Sequence, residues 1–335
     1  MQYFKAVNSG RKQRGTILIT VMLVFAVGAY MATEITYRQR VDIQRTSSIF
    51  SQAQAYEYVL GAEEIARFAL RRDLKEDKKK SKNNVSPADA ADEDWGMQLA
   101  QMVDGGTIEG QLVDLQGRFN LNWLLTTDAE QKKAYKKALM SLMAQLKIPK
   151  EKASQVVVDQ IADMLDEDST PSSLDGREDQ EYMLEPTPRR ASNRMILDIS
   201  ELLLIPSLTP EEIETLAPYV TALPLDASLN LNTASVEVMS SFDCLDAATI
   251  SKDRPKGGYT DINEATKLVE NDDCKDAALD VSVSLNSEFY ELEAKAIVNG
   301  KTIKVRSMLY RDEEQESNID VKVIYRRQVD PYSKV

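Results

Sequence analysis

The chain has 335 residues, 43 % hydrophobic and 28 % charged, a composition and length that suit a globular protein of about two domains. It has no histidine and only two cysteines. This excludes Ser-His-Asp and Cys-His triads, histidine general bases, imidazole zinc sites, Cys₄ zinc sites and iron–sulfur clusters. The net charge of −13 is uneven, because Lys5, Arg11, Lys12 and Arg14 stand in residues 1–15 without an acid. The rest is therefore more acidic still and disfavours nucleic-acid binding.

From Thr16 to Ala32 no residue is charged. Seventeen apolar positions reach the lower length limit of a membrane-spanning helix, and the basic leader before them predicts a cytoplasmic N-terminus. A cleaved secretory signal needs a small-x-small site, and Gly28 to Ala32 offers a poor one. A plain single-pass anchor remains open. The helical pattern, however, continues beyond the span. Ile49, Ala53, Tyr56 and Leu60, and then Val59, Ala62, Ala66 and Leu70, recur at three and four, which predicts one helix from Thr16 to about Arg72.

Lys75 to Asp94 reads as a charged, mobile connector, and Thr107 to Asn120 as strand followed by a turn at Gln116-Gly117. Helices are predicted over Asp128–Leu146, over Lys152–Leu165 after Pro149, and as short pieces over Asp198–Leu203 and Pro210–Val220. Alternation at Val281, Val283 and Leu285, at Ala294 to Val298, and at Ile303, Val305 and Ile319 to Val323 predicts an antiparallel sheet. Asn299-Gly300 is a two-residue hairpin signal within it.

Acidic side chains concentrate between Asp159 and Asp179. Asp159, Asp163 and Asp166 share a helix face, and Asp168, Asp175, Glu178 and Asp179 follow in a loop. Hard oxygen donors on a helix end and a loop suit Ca²⁺, which tolerates six to eight ligands in loose geometry, better than Mg²⁺. The spacing is not that of an EF-hand, and a solvated acidic loop is the competing reading. A pair of carboxylates for glycoside hydrolysis would need an aromatic groove that the sequence does not suggest. Cys244 and Cys274 lie in the exported part. There they form either a disulfide, worth about 3–4 kcal/mol by loop entropy, or two buried thiols.

Arg14-Gly15 before an apolar helix resembles the class III leader of type IV pilins and type II secretion pseudopilins. The absence of glutamate at the fifth position after Gly15, where Thr20 stands, is similar to the K-type minor pseudopilins. Four further segments resemble that family, in its order along the chain: Asp114 to Asn122, Pro186 to Asn193, Leu223-Pro224 to Ala234, and Arg254 to Tyr259.

The resemblance implies an α+β pilin-like fold, a long N-terminal helix packed on an antiparallel sheet, with a large α-helical insertion. It implies a leader at 1–15, a transmembrane part at 16–33, an amphipathic helix at 34–73, a connector and first strands at 74–122, the insertion at 123–225 and the remaining β head at 226–335. It also implies cleavage by a prepilin peptidase between Gly15 and Thr16 with N-methylation, and insertion once through the inner membrane with the head in the periplasm. The expected partners are I-type and J-type minor pseudopilins, and the expected role is non-enzymatic, capping or initiating the pseudopilus tip for protein export. A structural Ca²⁺ ion is expected among Asp163, Asp166, Asp168, Glu178 and Asp179, with Glu178-Asp179 matching the family's acidic pair.

A rival reading rests on Ser228 to Ala234, which is similar to the opening of the helix-hairpin-helix of membrane-anchored DNA receptors of natural competence. The residues that follow, Val238 to Cys244, lack the glycine hairpin such a module needs, and the expectation is no nucleic acid.

Overall fold

The computed structural model describes residues 14–81, 88–150, 153–266, 281–312 and 320–330. It divides into two compact units, Met1–Gln54 and Ala55–Val335. Helix α1 (Arg14–Ser81) passes through both. In the first unit its apolar side chains are exposed, among them Phe25, Val24 and Met22. By length and composition this helix can cross a membrane.

In the second unit, Ala55, Val59, Ala62, Ala66 and Leu70 form a buried stripe at intervals of four, three, four and four. The small alanines let the helix approach a sheet closely, while Val59 and Leu70 each contribute about 1.5–3 kcal/mol of burial. That sheet is antiparallel and five-stranded, in the order β1-β2-β7-β8-β9: β1 (Leu99–Val103), β2 (Gly106–Asp114), β7 (Phe289–Val298), β8 (Lys301–Arg311) and β9 (Val321–Val329). Ile108, Leu112, Leu292, Ala294, Ala296, Val305 and Leu309 meet the helix stripe. Asn299 (φ 47°) and Gly300 (φ 77°) are both left-handed, the backbone of the type I′ turn that joins β7 to β8.

Between β2 and β7 the chain leaves the sheet and builds a second core. It contains β3 (Phe119–Asn120), α2 (Ala129–Gln145), α3 (Ser154–Leu165), α4 (Asp179–Met183), α5 (Pro210–Leu216), β4 (Val220–Thr221), β5 (Leu229–Asn230), α6 (Val236–Met239), α7 (Ala247–Asp253), α8 (Ile262–Ala265) and β6 (Val283–Ser284). Asp128 caps α2 by accepting from the Glu130 and Gln131 amides, and Tyr135, Leu139 and Leu142 fall on its buried stripe. Phe119, Trp123, Leu139, Ile161, Leu216, Leu229, Phe242, Ile250 and Leu285 belong to one cluster. This core therefore runs on to Leu285, well past position 225.

Several sequence expectations need correcting. The connector does not begin at 74, because α1 continues to Ser81 with Leu74 and Asp77 buried. The Lys/Glu/Asp run that suggested a loop contains good helix formers and no breaker. Asp89 and Ala90 are buried, not mobile surface. Helix α3 starts at Ser154, five residues beyond Pro149. The alternation around Val283 belongs to β6, which pairs in parallel with β5 outside the main sheet. Residues 199–204 form a 3-10 turn.

A carboxylate cluster and the asparagine clamps

Helix α3 presents its acids at the spacing expected, but packing sends them to different tasks. Asp159 pairs with Lys136 on α2 at 2.9 Å. Asp163, fully buried, accepts from the backbone amides of Ser172 (3.1 Å) and Arg177 (2.8 Å), and so shapes the loop that follows. A Cβ on Gly176 would overlap the Asp163 Oδ2, so the loop closes this tightly only because residue 176 is glycine. Asp179 is engaged elsewhere: Oδ1 accepts from the Ala191 amide at 2.9 Å, and Arg190 lies 3.9 Å from Oδ2.

Three of the five expected ligands converge. Asp166 at the end of α3, Asp168 in the loop and Glu178 at the start of α4 each offer an oxygen, all within 4.8 Å of one another. Asp168 Oδ1 also accepts from the Thr170 amide at 2.8 Å. Glu178 is 1 % exposed and faces the Glu181 amide in a capping box, yet neither of its carboxylate oxygens makes a full hydrogen bond. Asp166 Oδ1 is buried and unpartnered too, while Lys132 Nζ stands 3.6 Å from Oδ2. Burial, then the charges of Asp163, Asp166, Asp168 and Asp179, push the Glu178 carboxyl up to about 7. Burial and the charges of Asp168 and Asp163 raise the Asp166 carboxyl. A buried Glu178 carboxylate without a full hydrogen bond, beside a half-buried Asp166 and an exposed Asp168, fits a divalent cation, and the flexible oxygen set fits calcium.

A second convergence, of Asp73, Asp77 and Glu93, is served differently. Arg311, 1 % exposed, donates to Asp73 Oδ2 (2.9 Å), to Asp89 Oδ2 (2.5 Å) and to the Ser287 carbonyl (2.8 Å). Its guanidinium lies 5.1 Å from the centre of the Tyr290 ring. Glu93 accepts from the Trp95 indole at 3.0 Å. Here the protein supplies its own cation. Burial and the Asp89 charge push the Asp73 carboxyl up to about 8.

The asparagines of the quoted motifs do more than turn the chain. Asn120 takes the Leu223 amide at 3.0 Å and donates to the carbonyls of Leu223 and Pro224. Asn122 takes the Ile196 amide at 2.9 Å and donates to the Ile196 and Leu223 carbonyls. Asn232 spans Tyr259 and Leu285, and the Gly258 backbone lies so close that a Cβ there would fall 2.6 Å from Asn232 Cγ. Asn230 donates to Asp114 Oδ2, Ser287 Oγ and the Asp89 carbonyl. All four are buried, so the segment similar to a helix-hairpin-helix opening spends its polar groups inside the molecule. These partners are distant in sequence, and only the repeated motif asparagines hinted at them.

Gly15 and Thr16 lie in the first turns of α1, and residues 1–13 fall outside the described residues. Thr20 Oγ1 donates to the Ile17 carbonyl at 2.9 Å, a bond within the helix. Cys244 follows α6, while Cys274 lies outside the described residues.

Comparison with known proteins accounts for this arrangement. The family model for type II secretion system (T2SS) protein K matches residues 117–225. The type II secretion system protein K of Pseudomonas aeruginosa is 33 % identical over 309 residues, covering 91 % of this chain and 90 % of its own. That of Aeromonas hydrophila is 28 % identical over 92 % of this chain and 96 % of its own. A chain of the GspK-GspI-GspJ complex crystal structure from enterotoxigenic Escherichia coli superposes with a TM-score of 0.71 at 24 % identity, covering 85 % of this chain and 99 % of that one. With an apolar helix running into a sheet-packed one, a helical insertion between β2 and β7, and this identity over nine-tenths of its length, the chain belongs to the type II secretion system protein K family.

Proposed function

We propose that this chain acts as a minor pseudopilin that caps or initiates the pseudopilus tip, a structural role and not a catalytic one. In this reading prepilin peptidase cuts between Gly15 and Thr16, the new N-terminus is methylated, and α1 anchors the subunit in the inner membrane with its head in the periplasm. I-type and J-type minor pseudopilins bundle beside it, a reading supported by the related Escherichia coli chain, which was crystallised in complex with GspI and GspJ. The observation that carries the tip position is Thr20. Its hydroxyl is satisfied inside α1, so the fifth position after Gly15 presents no carboxylate to the terminal amine of an adjacent subunit. In a low-dielectric helix bundle such an amine–carboxylate contact would be strong, and its absence suits a subunit with nothing stacked above it.

The test is the intact mass and N-terminal sequence of the protein isolated from its native membrane. A chain beginning at Thr16 that co-purifies with the two partners is expected. A chain still beginning at Met1 in cells with active peptidase would overturn the assignment.

A structural calcium ion at Asp166, Asp168 and Glu178 belongs to the same proposal, supported by the donor-less buried oxygens. The expected result is a melting temperature that rises with CaCl₂ and falls with chelator in the native chain, and that is indifferent to both in Glu178→Gln. Indifference of the native chain would remove the site. The pairing of Cys244 with Cys274 is likewise proposed, and is read by mapping the disulfide peptide under non-reducing conditions.

A further inference from the structure

Beside the stripe that packs on the sheet, α1 carries a second pattern. Gly61, Ile65, Phe68 and Arg72 recur at intervals of four, three and four, so they share one flank of the helix. Ile65 and Phe68 are exposed although both are large and apolar. A Cβ on Gly61 would meet nothing within 4 Å, so the helix backbone is open there.

Next to this flank the helix and the chain entering β1 enclose an apolar slot of about 200 Å³, walled by Ala62, Ala66, Met97, Leu99, Gly110 and Leu112. Met97 is exposed as well. A cavity of about 450 Å³ shares Ile65, Ala69 and Trp95 with the slot and is lined by Asp73, Glu76, Glu93 and Asp94. Slot and cavity form one groove, apolar at one end and acidic at the other.

The acidic end lacks positive charge. Among the described residues lining it Arg72 is the one cation, and it is already divided between Glu76 (3.1 Å) and Asp94 (2.8 Å). Asp73 has Arg311. Glu93 pairs with no cation among the described residues: the Ala90 amide (3.1 Å) and the Trp95 indole (3.0 Å) both donate to its Oε2. Burial raises the Glu93 carboxyl, and the charges of Asp89 and Asp77 add to the rise. An exposed apolar patch rimmed by polar groups marks an interaction surface. The charge of this rim repels anionic lipid and calls for a cation. A helix presents the complement, a large apolar side chain and a basic one a turn apart.

We propose that this groove seats a helix of an adjacent minor pseudopilin, whose apolar side chain fills the slot and whose lysine or arginine enters the acidic end to meet Glu93. The inference rests on the minor-pseudopilin reading and adds the surface of the contact and the charge its partner brings. The open backbone at Gly61 lets the two helices approach closely.

Cross-linking tests the occupant. p-Benzoylphenylalanine replaces Phe68 or Met97 in the full-length chain, and adducts formed in the native membrane are mapped by mass spectrometry. Both positions should join one helix of the I-type or J-type subunit, within about four residues of a lysine or arginine, one helical turn. Adducts with a second copy of this chain, with an exported protein or with a segment that carries no cation overturn the proposal.

Two variants test the contact itself. Gly61→Leu fills the open side of the groove without meeting the chain's own atoms, and Glu93→Gln with Asp94→Asn removes the charge. Each should lower co-purification of the partner about fivefold or more while the melting temperature stays within about 2 °C of the native chain. The residual complex of the charge variant should also lose its sensitivity to NaCl. A rise in melting temperature with CaCl₂ that survives Glu178→Gln and disappears in Glu93→Gln would place a metal ion in the cleft and overturn the proposal. If the native chain carries neither partner subunit, the minor-pseudopilin reading fails with it. If the native chain and both variants carry them equally, only the groove is refuted.

Discussion

Replacing Arg311 with methionine strikes a buried charge of the sheet-packed unit that bonds three groups at once. The guanidinium holds Asp73, Asp89 and the Ser287 carbonyl together, and both Arg311 and Asp89 have side chains that are 1 % exposed. Methionine fills similar space but leaves Asp89 a buried carboxylate without its cation, its Oδ2 still accepting from the Ser287 amide at 2.7 Å. Removing one partner of a buried ion pair costs about 3–5 kcal/mol, because the remaining charge stays desolvated and uncompensated. For a unit of this size that lowers the melting temperature by about 10 °C. Trp95 reports the event: its ring sits edge-to-face on Tyr290, centroids 5.1 Å apart, and Arg311 lies over Tyr290. Thermal unfolding followed by tryptophan fluorescence in the full-length protein is the assay. The reasoning adds a second requirement. If the penalty is an orphaned anion, then Arg311→Met with Asp89→Asn is more stable than Arg311→Met alone. A single variant within about 2 °C of the native chain, or a double variant no better than the single, refutes it.

Two further outcomes follow from neighbouring geometry. Asp73 holds a proton more tightly in the folded chain, with its carboxyl raised to about 8, than in an unfolded one. Its stabilising effect is therefore complete below the ordinary aspartate range and is lost as pH rises through about 8. Asp73→Asn should flatten the fall in melting temperature between about pH 4 and pH 8, and parallel curves for variant and native chain would count against this. Gly176→Ala forces a Cβ onto Asp163 Oδ2, and overpacking of this kind costs about 1–3 kcal/mol. It should abolish most of the calcium-dependent rise in melting temperature, read as the difference between CaCl₂ and chelator. An unchanged difference would show that Asp163 does not shape the turn.

The helical stripe of α1 and the Asn299-Gly300 hairpin were legible in the sequence because each is a local pattern. So was the stripe of α2. A period of three and four or a left-handed dipeptide needs no partner from elsewhere. Strand β1 was not legible, because Leu99–Val103 is a mostly exposed edge strand with no alternation to show. The acidic run was half legible. Spacing places Asp159, Asp163 and Asp166 on related faces of α3, but the opposing element decides what each one meets: Lys136 for the first, a loop of backbone amides for the second, and Asp168 with Glu178 for the third. Periodicity names a face and leaves the neighbour undetermined.

The same limit explains why the motif asparagines read as turn chemistry and prove to be clamps. The insertion leaves the sheet after Asp114 and returns at Phe289, so its two ends must be held together across a gap of sequence that carries no local signal. Gln116 performs part of this, donating to the Ser228 carbonyl at 3.0 Å and accepting from the Glu288 and Phe289 amides. Asp114 completes it by accepting from Asn230, Ser287 and Thr233. The chemistry demands an amide at 230. It must donate to the buried Asp114 carboxylate and at the same time accept from the Asn232 amide at 2.9 Å. Aspartate has the same shape, but it would place two carboxylates in contact inside a buried site. Leucine would leave Asp114 short of a donor. The insertion is thus stitched by buried hydrogen bonds to the ends of β2 and β7, the interior strand pair from which it grows.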